Sequence, residues 1–66
     1  MPGPREVIFE FYRVGAYVKV SAVDTATLTE VAIVGDPAIG EESLKQTALR
    51  KLDYVLERQR TTGRGR

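Results

Sequence analysis

Among its 66 residues the chain has no cysteine, no histidine and no tryptophan. Without thiol or imidazole groups, it can form no disulfide, no metal site built on thiolate or imidazole, no catalytic Cys, and no Ser-His or Cys-His dyad. Serine is scarce too, present as Ser21 and Ser43 alone. No apolar run approaches the ~20 residues a membrane helix needs, and no signal-peptide pattern opens the chain. A soluble, cytoplasmic protein without membrane contact is therefore expected. Ten basic and nine acidic residues leave a net charge of +1, so the average composition selects neither nucleic acid nor acidic substrates. The length allows one domain and no second core.

What is present reads first as strands. Residues 1–5 are rich in Pro and Gly and are expected to be a flexible N-terminus, whereas "EVIFEFYRVGAYVKVSAVD" is dense in β-branched and aromatic residues. In the first run Val7, Phe9 and Phe11 share one face, and Glu6, Ile8, Glu10 and Tyr12 share the other. In the second run Val18, Val20 and Ala22 form the apolar set, so an even-length loop is needed to bring both sets to one side. A Val14-Gly15 turn does so, pairing Phe11 with Val18, Phe9 with Val20 and Val7 with Ala22. It also places Tyr12 beside Tyr17 and Glu10 across from Lys19. After Asp24 a four-residue loop from Thr25 to Leu28 sets Ala22 against Val31, Val20 against Ile33 and Ser21 against Ala32. The last position of such a loop favours a left-handed residue, usually Gly, which makes Leu28 conspicuous.

"GDPAIG" then ends the third strand, and Glu41 and Glu42 stand where a helix N-terminus favours negative charge. Leu44, Ala48, Leu49, Leu52, Val55 and Leu56 recur along one stripe of a 3.6-residue helix. The fold class expected is α+β: a three-stranded antiparallel meander, order 1-2-3, with one C-terminal helix packed on one face. The single βββα domain spans residues 6–60, and residues 61–66 form a disordered basic tail.

The run from Glu6 to Gly35 and the later "ALRKLDYVLER", with the pattern "VDxxTxTEVxIVG" between residues 23 and 35, resemble a family of short uncharacterised bacterial proteins, a domain of unknown function. The likeness covers about residues 5–58 and implies a β-meander followed by a C-terminal helix. Many members carry Gly where this chain has Leu28. The resemblance implies no activity and no site residue.

Chemistry-bearing constellations are few. Glu6 and Glu30 fall on the outer face on either side of Val23, too far apart for paired-carboxylate catalysis and too few to enclose a cation. Removal of Met1 exposes the Pro2 amine used by very small tautomerases, but Gly3-Pro4 and three consecutive strands do not match their organisation. The glycines at 15, 35 and 40 are spaced like turns, not like a phosphate-cradling loop. No catalytic residue, cofactor site or metal site is assigned, and the chain is not expected to be an enzyme.

Charge is uneven. Residues 1–42 hold three basic and seven acidic side chains, net −4; residues 43–66 hold seven basic and two acidic, net +5. Arg50, Lys51, Tyr54 and Arg58 lie off the apolar stripe and are the candidate nucleic-acid contacts, with Tyr54 placed to stack on a base. The outer sheet face keeps Ile8, Tyr12, Tyr17, Val23 and Val34, the candidate interface, together with Ala32. The leading expectation is a protein-interaction module whose partner is a second copy, as a homodimer, or another protein. A weak nucleic-acid-binding accessory protein using the basic helix and tail is the alternative.

Overall fold

A computed structural model describes residues 5–64. Three strands, β1 (Val7–Val14), β2 (Tyr17–Asp24) and β3 (Thr29–Gly35), form one antiparallel sheet in the order β1-β2-β3. A short 3₁₀ turn, Pro37–Ile39, leads into helix α1 (Glu41–Arg64). This is the α+β meander with one covering helix that the periodicities imply. The helix runs to Arg64, well past Leu56, where its apolar stripe ends, because the stripe reports which turns are buried rather than which are helical. The expectations placed on residues 1–4, 65 and 66, including the Pro2 amine, lie outside the described residues.

Parity is correct in both hairpins, and register in one. Between β2 and β3 the pairs Val20–Ile33, Ser21–Ala32 and Ala22–Val31 are those expected. Between β1 and β2 the pairing is displaced by two residues: Phe11 faces Val20, Phe9 faces Ala22, and Tyr12 rather than Glu10 faces Lys19. The two loop residues are Gly15-Ala16, not Val14-Gly15. The cause is local stereochemistry. Gly15 has φ +60° and Ala16 does not have a positive φ, the type II′ pattern that puts Gly first in a two-residue hairpin loop. The expected alignment would have put Val14 in that position, where its Cβ is disfavoured.

The second turn shows the strain foreseen at Leu28, whose φ is +61°. Its N–H donates to the Asp24 carbonyl at 2.7 Å, and Asp24 Oδ1 accepts from the N–H groups of Ala26 and Thr27 at 2.9 and 3.2 Å. Asp24, 6% exposed, thus holds the loop through its own side chain. Its other oxygen lies 3.6 Å from Arg5 Nε, and Arg5 Nη2 reaches Asp53 Oδ1 of the helix at 2.7 Å. The chain entry, the β2–β3 loop and the helix are tied together at this end.

The core is the set that the patterns select. Val20, Ala22, Val31, Leu44, Ala48 and Leu52 are buried, with Val7, Phe9, Phe11, Val18, Ile33, Leu49, Val55 and Leu56 packed against them. Gly35 lets the helix start approach, since a Cβ there would run into the Leu44 side chain. The helix lies mainly over β2 and β3, so the β1 side chains Val7, Phe9 and Phe11 are only half covered. Lys45 partly compensates, its ammonium 5.3 Å from the Phe9 ring centroid.

Candidate functional site

Among the described residues, no helix lies over the sheet's second face. Across it run the rows Ile8–Val23–Glu30, Glu10–Ser21–Ala32 and Tyr12–Lys19–Val34, with Val14–Tyr17 beside the first turn. Four of the five candidate interface residues are open to solvent: Ile8 and Tyr12 are 48% exposed, Tyr17 56% and Val34 63%. Val23, the fifth, is half-buried in the central strand. Val14, 52% exposed, joins them. Sequence reasoning missed it by assigning it to the turn; the Gly-first rule for two-residue loops was the signal that identifies it as a strand residue.

Polar groups on this face are arranged differently from the expectation. Glu10 does not pair with Lys19; its Oε1 accepts from the Tyr12 hydroxyl at 2.6 Å. That hydrogen bond, the Glu10 charge, partial desolvation and the more distant Glu30 charge, in that order, hold the Tyr12 phenol above its usual range. Glu6 is not beside Val23 either, because Ile8 takes that place and the Glu6 carbonyl accepts from the Thr25 N–H at 3.2 Å. Ser21, although on the outer face, is 2% exposed, in the central strand between Glu10 and Ala32.

The two sheet edges differ. Because the Glu6 carbonyl bonds to Thr25, the even residues of β1 direct their backbone groups to β2, and the odd residues Val7, Phe9, Phe11 and Arg13 direct theirs outward. On the opposite edge the outward carbonyl of Ala32 receives the Lys51 ammonium at 2.8 Å. The β3 edge is thus occupied by the chain's own lysine, and the helix sits over the same strand.

The candidate nucleic-acid contacts separate in consequence. Arg50, Tyr54 and Arg58 form an i, i+4, i+8 row on the exposed helix surface, whereas Lys51 turns toward the sheet edge. Arg58 donates to the Tyr54 hydroxyl at 3.0 Å, with its guanidinium carbon 5.7 Å from the ring centroid. Tyr54 is 60% exposed, but its polar group and one side of its ring are already engaged within the helix. Farther along, Arg60 binds both Glu57 carboxylate oxygens, at 2.6 and 2.7 Å, which neutralises part of the basic helix end. Among the described residues, no helix is long and apolar enough to cross a membrane.

Among the described residues, an antiparallel meander roofed on one side, with exposed apolar groups on its second face and an uncovered β1 edge, defines a small α+β domain. The sequence pattern of DUF6898, a domain of unknown function, matches residues 4–59, and the chain belongs to that family. No curated protein and no solved structure matches it.

Proposed function

We propose that this protein is a non-enzymatic protein-interaction module that works through the uncovered side of its sheet. The observation carrying this reading is the exposed set Ile8, Tyr12, Val14, Tyr17 and Val34, gathered on one face of a sheet whose other face is already packed. Apolar groups of this size, with tyrosines whose hydroxyls stay wet, suit a protein interface: the ring is buried and the hydroxyl keeps its partner. Glu10 and Glu30, on the two outer strands of the same face, supply polar groups at its margins, and Lys19 lies between Tyr12 and Val34.

Nucleic-acid binding is the second reading, favoured by the Arg50–Tyr54–Arg58 row. The internal Arg58–Tyr54 contact, the commitment of Lys51 to Ala32 and the Arg60–Glu57 pair weigh against it. One experiment separates the two. Wild-type protein, a Tyr17→Lys/Val34→Lys variant and an Arg50→Ala/Arg58→Ala variant are immobilised, and native lysate, with and without nuclease treatment, is passed over each. Protein retained by the wild type and the helix variant but lost from the sheet variant supports the module. Loss from the helix variant alone, or retention that needs intact nucleic acid, replaces it with the second reading.

A further inference from the structure

Resting on that reading of the open sheet, we infer that the chain is a symmetric dimer in which β1 pairs antiparallel with β1 of a second copy, in the register that sets Phe11 opposite the partner's Phe11. An edge strand presents alternating donors and acceptors that only another extended strand satisfies in sequence. Of the two edges here, β3 has Lys51 on its outward Ala32 carbonyl and the helix overhead. Among the described residues the β1 edge has neither, and the outward-facing backbone belongs to the residues whose side chains, Phe9 and Phe11, are half covered.

The strand's own sequence selects a second copy and its register. Continuing both faces of the sheet requires odd residues to pair with odd and even with even. Centring the two-fold axis on Glu10 opposes two glutamates, and centring it on Phe9 opposes Arg5 to Arg13. Centring it on Phe11 opposes no like charges and pairs residues 8–14, whereas centring it on Tyr12, equally free of like charges, shortens the ladder to residues 10–14. On the outer face Glu10 then meets Tyr12 of the second copy and Ile8 meets Val14. On the helix side Phe11 meets Phe11 and Phe9 meets Arg13. The Tyr12 hydroxyl, which bonds Glu10 of its own strand at 2.6 Å, has an equivalent acceptor directly across the axis. Such an interface is isologous and closes on itself. It also merges the Ile8, Tyr12 and Val14 clusters of the two copies into one apolar surface at the centre of a six-stranded sheet.

The absence of cysteine makes the register directly readable. Glu10 and Tyr12 are exposed, so Glu10→Cys and Tyr12→Cys leave the core intact. In the inferred register these positions form a non-hydrogen-bonded pair with Cα atoms ~4.5 Å apart, within disulfide range. Mixing the two variants under a mild oxidant such as diamide is expected to give a cross-linked heterodimer as the main product, with little cross-linking of either variant alone. Sedimentation equilibrium of the wild type is expected to show a dimer. A wild type that is strictly monomeric at ~1 mM, cross-linking of Glu10→Cys alone, or no cross-link in the mixture would overturn the inference. Any of these could coexist with lysate capture by the sheet face, so failure of the dimer and failure of the interaction module are separate results.

Discussion

The Lys51 ammonium lies 2.8 Å from the carbonyl oxygen of Ala32, so a helix side chain closes a hydrogen-bonding position on the edge of β3. A lysine at this place acts against edge-to-edge growth in two ways: it occupies an acceptor, and it puts a charge where an incoming strand would lie. Replacing it opens the second edge.

Lys51→Ala is accordingly expected to cost little stability, about 0.5–1 kcal/mol for one exposed charge-assisted hydrogen bond. Its larger effect is on assembly. A domain with both edges open can add copies without closing, so sedimentation velocity should show species larger than those of the wild type at equal concentration. An unchanged distribution would mean that the Lys51–Ala32 contact does not guard the edge.

Register is tested by charge insertion on the two faces. Val20 is fully buried between Phe11 and Ile33, and Val34 is 63% exposed on the outer face. Val20→Asp should abolish cooperative thermal unfolding, because an unpaired carboxylate there costs more than the several kcal/mol by which a domain of this size is stable. Val34→Asp should shift the melt by no more than ~0.5 kcal/mol. Ser21, the nearest residue of opposite parity, is a poor control because it is 2% exposed and faces Glu10. Equal destabilisation by Val20→Asp and Val34→Asp would contradict the assignment of faces.

These positions also show what the sequence carries and what it does not. Strand alternation and the helical stripe select the same core residues that the structure buries, because parity and the 3.6-residue period are properties of the residue string itself. The β1–β2 register is not fixed by parity, since a displacement of two residues keeps every side chain on its face. Only the stereochemistry of Gly15 decides it, and with it whether Val14 is turn or interface. Ser21 illustrates a further limit: it lies on the uncovered face of the central strand and is buried all the same. The role of Lys51 is equally hidden, because charge and helical position alone describe it as a solvated cation.

Leu28 offers a stability gain. It combines a left-handed φ of +61° with 78% exposure, so the side chain contributes little packing while its Cβ strains the backbone. Left-handed geometry costs a non-glycine residue roughly 1–2 kcal/mol. Part of that gain is offset by the greater freedom of glycine in the unfolded chain. Leu28→Gly should therefore stabilise the fold by about 0.5–1 kcal/mol, visible as a rise of several degrees in Tm for a domain this small. A lower Tm would place the value of Leu28 in a contact rather than in its backbone.

The Tyr12–Glu10 hydrogen bond sets the alkaline behaviour of the sheet face. The Tyr12 phenol is held above its usual range chiefly by donating to the Glu10 carboxylate, and next by that carboxylate's charge. A folded-state pKa raised above the unfolded value means that the native protein holds the proton more tightly. The corresponding stabilisation is complete below the unfolded tyrosine pKa and is lost as pH rises through the higher, folded one. Glu10→Gln keeps an acceptor but removes its charge, so Tyr12 should ionise at lower pH in an ultraviolet difference titration. Thermal melts across the same alkaline range should show the wild type losing more stability than Glu10→Gln, since the wild type has the larger increment to lose. Coincident titrations of the two proteins would show that the Glu10 charge does not hold the Tyr12 phenol up.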